Sequence, residues 1–174
     1  MQNNISIKII TRSAISIALG FLLSMIKLFN LPFGGSATLC SMLFIALPGY
    51  MFGCEIGIIA GIISGIINFI FAPVFLHPIQ FFLDYILAFA SLGFAGIFNG
   101  QKNSLLKGYI FCVFLRFICA FISGIVFFKT YAPENLPVIL YSFIYNFSYI
   151  AVEACISIIL IYIPVFKNVI EYLR

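Results

Sequence analysis

Long apolar runs fill the chain from Ile7 to Val165, broken at short intervals by prolines, glycines and small polar clusters. The runs are too continuous for the strict alternation of a transmembrane barrel. The breaks divide them into six segments: 7–29, 38–52, 55–71, 79–98, 105–128 and 137–165. The first ends at Asn30-Leu31-Pro32-Phe33-Gly34-Gly35, and the second carries Pro48 and Gly49 and is short for a span. Pro73 stops the third, Pro78 opens the fourth, the polar run Asn99–Asn103 precedes the fifth, and Pro137 opens the sixth. A spanning helix needs roughly 20 apolar residues. The pattern therefore predicts an all-α integral membrane protein, with residues 1–174 forming a single compact bundle of six transmembrane helices.

Composition supports this reading. Of the 174 residues, 64% are hydrophobic and 8% charged, against about 25% charged in a soluble domain. That excludes a soluble enzyme and a nucleic-acid binder, and makes the lipid bilayer the first partner. Lys8, Arg12, Lys102, Lys107, Lys167 and Arg174 fall on one side of the predicted topology, with only Lys27 and Lys129 on the other. Loop lysines and arginines favour the cytoplasm, so both termini are expected there, in the cell (plasma) membrane. Lys8 and Arg12 before an apolar run also fit a signal peptide, but further spans follow and the run reads as an uncleaved first helix. The five cysteines have no CxxC spacing and read as small hydrophobes. No metal site or cofactor is expected.

Polar residues inside apolar segments are costly there. Asp84 lies five residues into the fourth segment, about 8 Å along a helix. Gln80, Asp84, Ala88, Ser91 and Ala95 share one face, polar at its outer end. Asp84 reads either as a paired structural carboxylate or as an anionic group in an outward-facing pocket for a cation. Tyr141 and Asn146 lie in the outer half of the sixth segment, and Asn both donates and accepts. Asn146 reads either as a ligand contact or as a bond between helices. Arg116 and Glu153 fall at equal depth and read as a structural ion pair. His77 reads as a loop histidine. Gly57, Gly61 and Gly65, like Ala120 and Gly124, have helix-packing spacing; Ala14 and Ala18 taken alone read the same way.

No GxxxxGK[ST], HExxH or GxSxG occurs, so no nucleotide hydrolysis, metalloprotease or serine-hydrolase chemistry is encoded. The chain is also shorter than the usual duplicated transporter. Six helices with an outward pocket and no engine point to a binding subunit powered by another protein.

Gln80-Phe81-Phe82-Leu83-Asp84-Tyr85 running on to Ser91-Leu92-Gly93-Phe94-Ala95-Gly96, and Ser123–Phe128 followed by Tyr141-Ser142 and Asn146, resemble the thiamine-specific S components (ThiT family) of energy-coupling factor (ECF) transporters. The resemblance implies capture of thiamine, with no enzymatic activity, for uptake driven by a coupling transmembrane subunit and two ATPase subunits. It implies substrate contacts from Asp84, Tyr85, Tyr141, Asn146, Phe128 and Gln80, and docking of the coupling subunit on Ala14 and Ala18. Asp84 stands where the family has Glu, Phe128 stands at a family Trp, and Ala120 at a family His; the chain has no Trp. Two alternatives stay open: an S component for another small nitrogen compound such as a thiamine precursor, and a non-transport membrane scaffold or assembly protein with Asp84 buried against Arg116 or Lys27.

Overall fold

The computed structural model describes residues 6–31, 35–133 and 135–173. Pro32–Gly34 and Glu134, parts of the two loops flanking the first and fifth helices, and Arg174, one of the cations counted above, lie outside the described residues.

Helix α1 (Ile7–Met25) starts at Ser6, whose Oγ accepts from the Lys8 amide at 3.3 Å. The helix ends four residues before the sequence pattern predicts. Ile26 turns extended, and Lys27–Asn30 (β1) pairs antiparallel with Ser36–Thr38 (β2), Lys27 opposite Thr38 and Asn30 opposite Ser36. Residues 27–30 therefore pair across to residues 36–38 rather than continue the helix.

Helix α2 (Ser41–Phe52) is the centre of the molecule: ten of its twelve residues are buried. It packs against α1, α3 (Cys54–Phe71), the end of α4 (Pro78–Gly96), α5 (Ser104–Phe127) and α6 (Val138–Tyr162). Pro48 lies inside it. A proline has no N–H, so the carbonyl four residues earlier loses its helical donor. That carbonyl belongs to Phe44, and the buried Ser16 of α1 donates to it at 2.6 Å. The start of α2 has an equivalent deficit. Cys40, at φ +59°, supplies no side-chain cap. Glu153 of α6 supplies one instead: it accepts from the Met42 amide at 2.8 Å, the Ser41 hydroxyl at 2.8 Å, the Thr38 hydroxyl at 2.7 Å and the Thr38 amide at 3.3 Å. The expected Arg116–Glu153 ion pair is therefore corrected. The carboxylate serves a helix N-terminus, where anions are favoured. The one salt bridge among the described residues is the exposed Lys167–Glu171 pair at 3.9 Å.

Gly53, at φ +96°, turns the chain directly from α2 into α3. A Cβ on Gly57, Gly61 or Gly65 would collide with the carbonyl of Gly93, Phe89 or Tyr85 respectively. The glycine ridge thus brings the backbone of α4 against α3, one turn at a time. Helix α4 begins with Pro78 in its first turn, after His77, whose Nδ1 accepts from the Ile79 amide at 3.2 Å. It widens to π geometry over Phe82–Leu87 and tightens to 3₁₀ geometry over Ser91–Gly96.

The sixth predicted segment is two helices. Ile163 is extended (φ −70°, ψ 119°), as a residue before proline prefers, and α7 (Pro164–Leu173) begins at Pro164. Phe166 and Ile170 face inward, the former edge-on to Phe44 at 6.1 Å, while Val165, Val169 and Tyr172 are exposed. Arg12 Nη1 donates to the Leu173 carbonyl at 2.5 Å, so the start of α1 and the end of α7 meet at the same end of the bundle. Among the described residues five helices, α1, α3, α4, α5 and α6, are long and apolar enough to cross a membrane; α2 is shorter.

The Glu153→Gln variant keeps the shape but puts an amide among donors. Hydrogen bonds to a charged group are worth about 1.5–3 kcal/mol each, so a clear drop in melting temperature in detergent is expected, followed by circular dichroism. An unchanged melting temperature would remove Glu153 from its role as the cap of α2.

Candidate functional site

A cavity of about 370 Å³ opens between the hairpin, the ends of α1 and α3 nearest it, and the facing sides of α4, α5 and α6. All six residues that the sequence nominated for substrate contact, Gln80, Asp84, Tyr85, Phe128, Tyr141 and Asn146, line it. They come from α4, α6 and Phe128, the residue that ends α5. The π-helical stretch of α4 carries Asp84 and Tyr85. Such stretches locally rotate side chains away from the regular helical face and recur at functional sites.

The six do different work. Gln80 is fully buried; its Nε2 donates to Asp84 Oδ2 at 2.7 Å and its Oε1 accepts from the Leu76 amide at 3.2 Å. Gln80 therefore aims the carboxylate and ties it to the α3–α4 connection. Arg116 and Lys27 line the same cavity, and among the described residues Asp84 makes no salt bridge of 4.0 Å or less. Its second oxygen accepts no protein hydrogen bond among the described residues. The Tyr85 hydroxyl accepts from the Val74 amide at 2.9 Å and donates to the Ala72 carbonyl at 3.0 Å. It closes the end of α3, and its ring stands edge-on to Phe69 at 5.0 Å. Asn146 donates to the Ser142 carbonyl at 2.9 Å and accepts from the Tyr149 hydroxyl at 3.0 Å. Its polar atoms hold the wall as much as they face the cavity. Tyr141 and Phe128 present rings, with Phe128 6.0 Å from Tyr131.

The sequence reading missed part of the wall. Tyr145 and Tyr149 continue the line of Tyr141 at four-residue spacing, with ring centroids 5.8 and 6.0 Å apart. The Tyr145 hydroxyl accepts from the Gly35 amide of the hairpin at 2.9 Å. The i, i+4, i+8 repeat was the available signal. Arg116 and Glu153, read as a structural pair, also line the cavity separately, as does Ala120. His77 stacks on Phe127 at 5.4 Å and is not in the wall.

Among the described residues, the cavity has no nucleophile hydrogen-bonded to a base, and no metal-holding cluster occurs. It offers one carboxylate with spare acceptor capacity, several aromatic rings and few open donors. A cationic heterocycle fits that chemistry: the carboxylate meets the charge or an amino group, and ring faces cover a cation. Away from this cavity, Ala14 and Ala18 are exposed and lie in a second, largely apolar groove between α1 and α3, of about 630 Å³.

Residues 10–172 match the sequence profile of the family described as thiamine transporter protein (Thia_YuaJ). The thiamine transporter ThiT of Bacillus subtilis (strain 168) is 34% identical over 161 residues, covering 83% of this chain and 80% of that one. ThiT of Lacticaseibacillus paracasei is 32% identical over 84 residues, covering 41% of this chain and 42% of its own. The solved structure of ThiT from Listeria monocytogenes superposes with a TM-score of 0.73 at 22% identity, over 95% of this chain and 96% of that one. A structure described as the S component of a bacterial ECF transporter superposes with a TM-score of 0.63 at 22% identity, over 96% and 98%. The two structural likenesses show a shared fold.

Proposed function

The chain belongs to the thiamine transporter protein family, and on that premise we propose that it is the substrate-binding S component of an ECF-type importer that captures thiamine in the cavity between the hairpin and α4–α6. It is a multi-pass membrane transport protein, not an enzyme. The observation that carries the reading is the position of Asp84, a carboxylate held by Gln80 in an aromatic cavity and in no salt bridge of 4.0 Å or less among the described residues. Thiamine is a permanent cation with an amino-pyrimidine, and it supplies both the charge and the donor that Asp84 lacks. Tyr141, Phe128 and the tyrosine ladder of α6 provide ring surface in place of the tryptophans that the chain does not have.

In this reading α1 to α6 span the bilayer, α2 crossing together with the hairpin that precedes it, and both termini are cytoplasmic. The excess of Lys and Arg at the ends and in the α4–α5 connection supports that orientation, and the Arg12–Leu173 contact places the two ends together. The cavity then opens outward. Energy comes from a coupling transmembrane subunit and two ATPase subunits. The exposed Ala14 and Ala18 in the groove between α1 and α3 give helices of the coupling subunit a smooth surface for close approach.

Purified protein is expected to bind thiamine in titration calorimetry. Asp84→Asn removes a charge-assisted contact of about 1.5–3 kcal/mol, weakening affinity roughly ten- to a hundredfold. Heat with a pyrimidine or thiazole precursor but none with thiamine would instead select the precursor reading. For orientation, single cysteines at Gln101 and Asn135, in a background without the native five, should react with an impermeant thiol reagent from the inside and the outside respectively. Labelling of position 101 from outside would turn the cavity to the wrong face. For docking, Ala14→Trp or Ala18→Trp should abolish uptake by cells while the isolated variant still binds thiamine normally. Loss of binding as well would make this stripe internal packing.

A further inference from the structure

Helix α7 carries more apolar surface than the bundle uses. Residues three, four and seven apart share one face of a helix. Phe166, Ile170 and Leu173 form one such line and pack into the core. Lys167, Asn168 and Glu171 form a second, which is exposed and polar and carries the Lys167–Glu171 salt bridge. Val165, Val169 and Tyr172 form a third, and they are 71%, 50% and 85% exposed. The helix thus has one face for protein, one for water and one that suits neither.

What covers the third face follows from where α7 lies. It does not carry α6 straight out of the bundle. Ile163 turns extended ahead of Pro164, Phe166 meets Phe44 of α2, and the Leu173 carbonyl accepts from Arg12 of α1. The helix therefore crosses from the end of α6 to the first turns of α1, where Lys8 and Arg12 stand. Charges at the start of an apolar span mark the level at which hydrocarbon gives way to water. The third face also continues a surface that lipid already covers. Val152, Ile159 and Tyr162 lie on the exposed side of the membrane-spanning α6, and Ile163 and Val165 follow them without a polar break. Tyr162 and Tyr172 are both exposed, one at the end of α6 and one near the end of α7. Tyrosine rings collect at headgroup level, where one edge is apolar and the other wet.

We propose that α7 is a membrane-surface helix, seated in the lipid interface at the end of the bundle that holds both the start of α1 and the end of α7. Val165, Val169 and Tyr172 enter the boundary between headgroups and acyl chains. Lys167, Asn168 and Glu171 face water, and Phe166 and Ile170 tie the helix to the bundle. A short helix with separate apolar and polar faces lies in the plane of the interface in this way. The seat has a consequence for α1. The far end of α7 holds Arg12, two residues before Ala14. The lipid surface thereby sets the height of the α1 face that opens on the apolar groove. The assignment depends on the bundle crossing a membrane and not on which ligand fills the cavity.

The absence of tryptophan makes the test direct, because a single introduced indole reports alone. Val169→Trp, Tyr172→Trp and Asn168→Trp variants of the full chain are placed in lipid nanodiscs, where both membrane faces are open to solutes. Fluorescence is then read with lipids brominated near the top of the acyl chain, and separately with iodide in the water. The probes at 169 and 172 should emit to the blue of the probe at 168, lose intensity to the brominated lipid and resist iodide. The probe at 168 should show the reverse. Iodide quenching at 169 and 172 as strong as at 168, without quenching by the brominated lipid, means that the third face meets water and overturns the proposal. Protection of 169 and 172 from both quenchers means that protein covers the face, a second copy included, and overturns it too. The unmodified chain gives an independent reading if a variant does not fold. A lipid with a diazirine in its acyl chain, photolysed in the nanodisc, should leave adducts on Val165, Val169 and Tyr172 as well as on Ile159 of α6. Adducts on Ile159 with none on α7 overturn the lipid seat alone, and adducts on neither overturn the membrane reading of this end of the bundle with it.

Discussion

The structure depends on a carboxylate that caps a helix to which it is not joined. Helix α2 starts inside the protein, after a left-handed Cys40 that offers no cap. In an apolar surrounding, its first amide and the hydroxyls beside it have no water to turn to. Glu153, more than a hundred residues later in the chain, answers four of these donors at once. The result fixes β2, the start of α2 and the middle of α6 relative to one another. These are three of the surfaces that bound the cavity. A few residues further along α2 the same problem recurs at Pro48, and Ser16 of α1 answers it. A short helix with an internal proline can sit at the centre of this protein because its neighbours complete its hydrogen bonds.

The other side of the cavity is built by close backbone approach. The glycines of α3 let α4 lie against it where any side chain would collide with a carbonyl. One of those carbonyls belongs to Tyr85, so the packing that seats α4 also sets the height of Asp84 and Tyr85. The π-helical turn there changes the direction of Asp84 and Tyr85, and Gln80 and the Ala72–Val74 backbone hold both in place. Asp84 and Arg116 line the same cavity, the carboxylate held by Gln80 and the guanidinium against the ring of Phe89.

Much of this was legible in the chain. Asp84 was visible because a carboxylate in an apolar run demands a reason, and Gln80 because it stands one turn before it. The elements were visible because proline, glycine and polar clusters punctuate the apolar runs. Three features were not. The strand at residues 27–30 follows the helix with no proline or glycine directly before it, so nothing ahead of Asn30 marks the end of α1. The division of the last segment at Ile163 was readable from Pro164, but an apolar run on both sides masked it. Arg116 and Glu153 sit at matching depth, and opposite charges at matching depth suggest a bridge. Depth does not report rotation about the helix axis, and Glu153 turns to α2 while Arg116 turns to Phe89. The tyrosines at 145 and 149 were hidden for a simpler reason: tyrosine is common near membrane interfaces, so the i, i+4, i+8 line did not stand out.

The central claim is that the cavity holds a monocationic heterocycle, and that this is thiamine. The most direct measurement is mass spectrometry of the small molecules released by denaturing protein purified from cells grown with the vitamin. The account predicts thiamine in near one-to-one ratio with the wild-type chain and strongly depleted from the Asp84→Asn variant. Release of a different compound from the wild type, or of thiamine in equal amounts from both proteins, would contradict it.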